Sequence, residues 1–210
     1  MTRVVVATAN AHKLAEIGRL VAADALGITL VPMADLGVPS PVEDGDTFAA
    51  NALIKATACA RATGLPAIAD DSGITVEALD GAPGVRSARF AGEHADDAAN
   101  NLRLLVSLAA AGADTPEQRR AAFVCAAAFA LPDGTTHTEV GRMDGHVVDA
   151  PRGTHGFGYD PLFVADTTAD GRTNGELSAA EKDATSHRAR AFAALAPHLA
   201  RALEGGAFSP

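Results

Sequence analysis

Apolar positions along the chain switch between two periods. Val4 to Ala7 is a short uninterrupted apolar run, the pattern of a buried strand. After a break at Thr8-Ala-Asn10, Leu14, Ile17, Leu20 and Val21 recur at helical spacing and predict an amphipathic helix over 11–23. Residues 29–31 predict a second strand. The stretch 32–46 holds three prolines, two glycines and four acids, and predicts a loop. Thr47 is placed to cap a helix that runs to about Thr63 and ends at Gly64-Leu-Pro66. Residues 67–69 and 74–77 predict two short strands with a turn between them, and 81–84 predicts another turn. A helix follows over 97–111, with 116–119 in the linker behind it. Residues 122–131 and 136–148 predict two long strands around the turn Pro132-Asp-Gly-Thr135. A glycine-rich loop over 150–161 leads to a strand fragment at Phe163-Val164. The closing helix, 186–203, puts Phe192, Leu195, Leu199 and Leu203 on one face, and Pro197 is expected to kink it. The tail, 205–210, is expected to fray. Strands alternate with helices early and a long hairpin comes late, which predicts an α/β fold with a mixed sheet.

Length and composition narrow the class. The chain has 210 residues, the size of one domain or of one domain with two lobes. Seventeen Lys and Arg against twenty-six Asp and Glu give a net charge of −9, which argues against a broad nucleic-acid-binding face. A small anion held by a few local lysines remains compatible with it. Two cysteines, Cys59 and Cys125, lie in alanine-rich apolar stretches and are expected to be reduced core residues. The run Val4 to Ala7 is too short for a signal peptide. The longest apolar run, 121–131, has eleven residues, whereas a membrane span needs roughly 18 or more. These features predict a soluble, cytoplasmic protein with no membrane contact.

Five segments carry candidate chemistry. Thr8-Ala-Asn-Ala-His-Lys13 lies between the first strand and the first helix, where backbone N–H groups suit a phosphate and Lys13 adds a cation. Asn51 and Lys55 share one face of the second helix, and Glu43 sits just ahead of it. A carboxylate near such a lysine can hold a metal whose other ligands are phosphate oxygens. Asp70 and Asp71 follow an apolar strand and, as neighbours on extended backbone, point to opposite faces unless the turn has begun. In Gly153-Thr-His-Gly-Phe-Gly-Tyr-Asp-Pro161, glycines flank an aromatic suited to stacking on a base. His187 and Arg188 open the last helix behind Ser186, where cations are disfavoured unless an anion docks opposite. Each segment has an ordinary alternative: an N-cap with a solvated lysine, a dipole-complementing acidic loop, an Asx turn, a loop with a core phenylalanine, a solvated helix start. The other histidines (His12, His94, His137, His146, His155, His198) show no metal-ligand spacing and read as surface or loop residues.

Taken in order, the segments resemble the inosine/xanthosine triphosphate pyrophosphatase family over residues 4 to about 203. The matching motifs are Thr8-x-Asn10-x-x-Lys13, Glu43-Asp-Gly-x-Thr-Phe48, Asn51-Ala-x-x-Lys-Ala56, Ala69-Asp-Asp-Ser-Gly73, Gly81-x-Pro-Gly84 with Ser87-Ala-Arg89, Phe157-Gly-Tyr-Asp-Pro161, and Glu181-Lys182 with Ser186-His-Arg188. The resemblance implies a two-lobed α/β structure around a long mixed sheet flanked by helices, one domain over 1–204, with the nucleotide in a cleft between the lobes. It implies a homodimer that splits ITP, dITP and XTP into monophosphate and pyrophosphate with Mg2+. It places triphosphate at Thr8, Asn10, Lys13, Lys55, Lys182 and Arg188, with Ala9, Ala11, His12 and Asn51 in the same binding segments. Glu43 and Asp71 would bind the metal, with Asp71 also the base. Ser72, Phe157, Gly158, Tyr159, Asp160 and His187 would surround sugar and purine. Ala50 departs from the family's usual acid before Asn51, Ala9 from a common glycine, and His155 from a frequent glycine. A nucleotide sensor without hydrolysis and a pyrimidine-nucleotide pyrophosphatase of related fold stay open as alternatives.

Overall fold

In a computed structural model, which describes residues 1–93 and 96–205, six strands form one mixed sheet in the order β2-β1-β3-β4-β5-β6. The strands are β1 (Thr2–Val6), β2 (Ile28–Pro32), β3 (Ala67–Val76), β4 (Arg120–Ala130), β5 (Thr136–Val147) and β6 (Phe163–Ala165). The helices are α1 (Ala11–Leu20), α2 (Phe48–Thr63), α3 (Asp97–Ala110), α4 (Ala179–Asp183) and α5 (His187–Gly205). Strand β1 pairs in parallel with β2, from Thr2 opposite Ile28 to Val6 opposite Pro32, and in parallel with β3 at Val5–Ala67 and Val6–Ile68. Strand β6 pairs antiparallel with β5, Gly145 facing Ala165 and Val147 facing Phe163. The α/β class and the mixed sheet are as the sequence predicts.

The chain divides into two compact units, 1–71 with 125–141 and 188–210, and 72–124 with 142–187. In the first unit the two-residue period sorts side chains onto two layers. Val4, Val6, Ile68, Cys125, Ala127 and Phe129 pack with Ile17 of α1 and with Ala191, Phe192, Leu195 and Leu199 of α5. Their strand neighbours Val5, Ala7, Ala67, Ala69, Ala126 and Ala128 pack with Ala52, Ala56, Cys59 and Ala60 of α2. Alanine on both sides lets α2 lie close to the sheet, which accounts for the alanine richness of these stretches. In the second unit, Ile74, Val76, Phe123, Met143, Val147 and Phe163 form a core with Leu104 and Leu108 of α3.

Several elements differ from the sequence reading. Residues 67–69 and 74–76 belong to one ten-residue strand, with no turn between them, and Glu77 instead opens a 3-10 turn. The glycine that suggests a turn, Gly73, serves close approach instead. A Cβ there would sit 2.7 Å from the Gly84 carbonyl oxygen, and Ser87 Oγ accepts the Ile74 N–H at 2.9 Å. Helix α1 stops at Leu20, because Val21 turns extended after donating its N–H to Ile17. Residues 33–36, expected as loop, form a 3-10 turn closed by left-handed Gly37. The short α4 is an addition, fixed by a capping box in which Ser178 and Glu181 satisfy each other's backbone N–H groups. Helix α5 continues through Pro197 to Gly205; Pro197 and Ala193 both lie on its exposed side, so the carbonyl that loses its donor meets water. The expected fraying beyond Gly205, and His94, fall outside the described residues. Among the described residues, no helix is long and apolar enough to cross a membrane.

Candidate active site

The layering of the first unit decides which charges meet. Asp71 shares its face of β3 with Ala67 and Ala69, so it points toward α2. There it accepts from Asn51 Nδ2 at 3.2 Å and from Lys55 Nζ at 3.3 Å. Lys55 Nζ also donates to Glu43 at 2.7 Å. Asn51 and Lys55 lie one turn apart on α2, whose start is set by Thr47 accepting the Ala50 N–H. The loop ahead of α2 is held by Gly45, which donates its N–H to Asn51 Oδ1 at 2.8 Å. Asp71 and Lys55 are buried while Glu43 is partly exposed. Burial pushes the Asp71 carboxyl above the usual carboxylate value, against the pull of Lys55 and Lys13. Burial works against the Lys55 ammonium, but Asp71, Asp70 and Glu43 outweigh it and raise its pKa.

Asp70 points the other way, toward α1 and α5. Its side chain is fully buried; Lys13 Nζ lies 3.2 Å away, and Arg188 donates from Nε at 3.2 Å and Nη2 at 3.1 Å. Arg188, 1% exposed, also pairs with Glu16 through Nη1. Burial alone would raise the Asp70 pKa; Lys13, Arg188 and Lys55 reverse that and hold it far below the carboxylate range. The anion opposite the first turn of α5 is therefore the protein's own. Behind α1, Asn10 Oδ1 accepts from the His12 and Lys13 N–H groups at 2.9 and 3.1 Å, and Thr8 Oγ1 accepts from Asn10 at 3.2 Å. Thr8 and Asn10 thus build the helix N-terminus that presents Lys13, with Ala9, Ala11 and His12 exposed beside them.

In the second unit the loop 153–161 is organised by Asp160. Its carboxylate accepts from Phe157 N at 2.9 Å, from Asn174 Nδ2 at 3.2 Å and from Lys182 Nζ at 2.6 Å. Lys182 Nζ also lies 5.1 Å from the centre of the Phe157 ring, a cation–π distance. Gly158 has φ +62°, and both its peptide groups are held by α3: its N–H donates to Asp97 at 2.6 Å and its carbonyl accepts from Asn101 at 3.0 Å. Tyr159 turns into the core and donates its hydroxyl proton to the Ser87 carbonyl at 2.8 Å. His187, 3% exposed, stacks on Phe123 with ring centres 4.9 Å apart. Ser72 is half-buried at the start of this unit.

The structure thus gathers Glu43, Asn51, Lys55 and Asp71 in one cluster and Lys13 with Arg188 in another, both within the first unit. Phe157, Gly158, Asp160 and Lys182 form a third, in the second unit. Lys182, expected among the phosphate ligands, pairs with Asp160, and the Tyr159 side chain, expected beside the nucleoside, is buried with its hydroxyl on the Ser87 carbonyl. Sequence reasoning missed Glu16, Asp97 and Asn101, and met Gly45 only as a position of the motif after Glu43. Glu16 carries a faint signal, an acid beside Ile17 on the helix face that turns inward. Asp97 and Asn101 carry only their one-turn spacing, because their partner is fifty-seven residues from Asn101.

Comparison with known proteins bears on what these clusters do. A curated relative from Streptomyces coelicolor, named dITP/XTP pyrophosphatase, is 52% identical over 94% of this chain and 96% of its own length. Another of the same name, from Geobacter sulfurreducens, is 50% identical over 95% of this chain and 97% of its own. The solved structure of a HAM1 protein from Coxiella burnetii superposes with TM-score 0.84 at 41% identity, covering 96% of this chain and all of that one. A nucleoside-triphosphatase / dITP/XTP pyrophosphatase from Mycobacterium abscessus gives TM-score 0.74 at 45% identity over 93% of this chain and all of that one. The sequence model of the Ham1 family matches residues 4–198, nearly the whole described chain, and with these likenesses it establishes that the protein belongs to the Ham1 family.

Proposed function

We propose that this chain hydrolyses the α–β phosphoanhydride bond of non-standard purine nucleoside triphosphates, dITP, ITP and XTP, releasing the monophosphate and pyrophosphate and so cleansing the nucleotide pool. The observation that carries the reading is the buried Asp71 carboxylate held by Asn51 and Lys55, with Glu43 on the same lysine. Near-full-length identity to enzymes named for dITP and XTP supports the substrate class.

Asp71 acts as the general base. Its raised pKa makes it a better proton acceptor than an ordinary aspartate, while Asn51 fixes its orientation. A water gives its proton to Asp71 as its oxygen bonds to the α-phosphorus; the bond from that phosphorus to the bridging oxygen breaks, and the electron pair leaves with pyrophosphate. Lys55 and Lys13, the latter at the positive N-terminal end of α1, neutralise the triphosphate. The hard oxygens of Glu43 and Asp71 fit Mg2+, which takes one or two carboxylates and fills its shell with phosphate oxygens and water. Bound there, Mg2+ supplies Lewis-acid charge neutralisation. Arg188 holds Asp70, and through it Lys13, in place.

The Phe157 ring stacks on the purine, and Gly158 and the Asp160–Lys182 pair fix the loop that presents it. Ser72 contacts the sugar. His187, its ring set by Phe123, donates to the 6-keto oxygen. Adenine, with an amino group there, leaves that donor unpaired, and sites of this kind reject such analogues by roughly 10⁴. Residues 1–204 act as one catalytic domain, in the cytoplasm, as a homodimer. The free buried cysteines support a reducing compartment. The exposed apolar side chains of Leu102 and Val106, one turn apart on α3, support a self-association face.

A substrate panel tests the reading. Phosphorus NMR should show pyrophosphate and monophosphate from dITP, ITP and XTP with Mg2+, and little turnover of dATP, dUTP or UTP. Release of orthophosphate, preference for a pyrimidine, or tight binding of dITP without product would overturn it.

A further inference from the structure

Outside the set of residues assigned above, His137, Glu139 and His198 bring their donor atoms together within the first unit. His137 and Glu139 are two apart on β5 and share a face; His198 arrives from α5, sixty-one residues later. His137 Nε2 lies 2.8 Å from Glu139 Oε1, and His198 Nε2 lies 3.5 Å from the same oxygen. All three donor atoms fall within 4.8 Å of one another. We propose that this trio is a binding site for a borderline divalent transition-metal ion, zinc foremost, that staples α5 to β5.

Three features carry the proposal. The first is spacing: metal–ligand bonds of about 2.0–2.2 Å at tetrahedral angles set neighbouring donors about 3.3 Å apart, and the two measured separations bracket that value. The second is chemistry. Two imidazoles and one carboxylate suit zinc, cobalt, nickel or copper, and disfavour magnesium, which demands oxygen. The third is access, since each of the three side chains is about a third exposed. Phe129 stacks behind His137, with ring centres 6.0 Å apart, and limits the ring to one side.

The cluster is poised rather than finished. The two imidazoles stack 3.8 Å apart with an interplanar angle of 16°, so no ion can lie in both ring planes until one ring rotates about its Cβ–Cγ bond. Arg201 Nη2 lies 2.9 Å from His198 Nδ1. Arginine only donates, so Nδ1 accepts and a neutral His198 carries its proton on Nε2. Metal ligation through Nε2 moves that proton to Nδ1 and displaces Arg201. Arginine is therefore a competitor of the metal, and three protein ligands leave a fourth position for water.

Zinc titration against a chromophoric chelator, with magnesium in excess to occupy the carboxylate cluster, tests the site. One equivalent per chain should bind. Co2+ should give a visible d–d band that zinc abolishes, and zinc should raise the melting temperature. The double variant His137→Ala/His198→Ala should keep its circular dichroism spectrum and its magnesium-dependent turnover, yet bind zinc at least about tenfold more weakly and lose the melting shift. Arg201→Gln should bind zinc more tightly. Equal zinc uptake by wild type and double variant, or weaker binding by Arg201→Gln, would overturn the proposal, whatever the substrate panel shows.

Discussion

Replacing Arg188 by Met removes a buried cation from between two acids. In the native protein, Arg188 donates twice to Asp70 and once to Glu16, and neither acid is more than 5% exposed. Methionine roughly fills the volume, so the cost is electrostatic rather than a cavity. Glu16 loses its ion pair with Arg188, and Asp70 keeps Lys13 at 3.2 Å. Breaking a buried pair from one side costs about 3–5 kcal/mol. For a chain of this size, each kcal/mol lowers the melting temperature by about 2–4 °C, so the variant should melt about 6–20 °C below wild type. The same network fixes the acid dependence. Asp70 has a folded pKa far below its unfolded value of 3.8, so its stabilisation is present above that value and is lost as pH falls below it. Wild-type stability should therefore drop by up to about 1.4 kcal/mol per pH unit below pH ~4, and Asp70→Asn should flatten that slope. Urea denaturation of the metal-free protein at several pH values reads both quantities. A loss under about 1 kcal/mol for Arg188→Met, the scale of an exposed ion pair, would refute the buried-hub reasoning.

Other perturbations separate the clusters. Lys55→Ala leaves Glu43 and Asp71 without their shared cation and should lower kcat/KM for dITP by about 10²–10³, through both kcat and KM; steady-state kinetics showing an unchanged rate would remove Lys55 from the phosphates. Phe157→Ala should weaken nucleotide binding by about 1–3 kcal/mol, measured by calorimetry with a non-hydrolysable dITP analogue, if its ring is the stacking platform. Gly45→Ala puts a Cβ 2.7 Å from Asn51 Oδ1 and 2.8 Å from Ala50 Cβ, so it should shift the Glu43 loop, costing about 1–3 kcal/mol of stability together with activity; a variant of native melting temperature and turnover would show that the loop yields.

What the sequence disclosed depended on the range of each interaction. The cap at Thr47, the stop at Gly64 and the hairpin at 132–135 are local, and the structure has them where the pattern puts them. The opposite orientation of Asp70 and Asp71 also follows from the two-residue period, and the uninterrupted strand enforces it. Gly73 misled because a glycine that admits a neighbouring side chain looks, in sequence, like one that makes a turn. Arg188 was legible as a cation needing an anion, but Glu16 and Asp70 lie 172 and 118 residues away, and only the packing of α1 and α5 on one face of the sheet brings them together. The His137–Glu139–His198 cluster escaped for the same reason, as its spacing is spatial and not sequential.

Hydrolysis of dITP in oxygen-18 water interrogates the reaction centre itself. If Asp71 activates water against the α-phosphorus, mass spectrometry will find one labelled oxygen in dIMP and none in pyrophosphate, and Asp71→Asn will lower the labelling rate by about 10²–10⁴. Label in pyrophosphate, or in orthophosphate, would mean that attack falls on a different phosphorus and that the Asp71 cluster is not arranged as described.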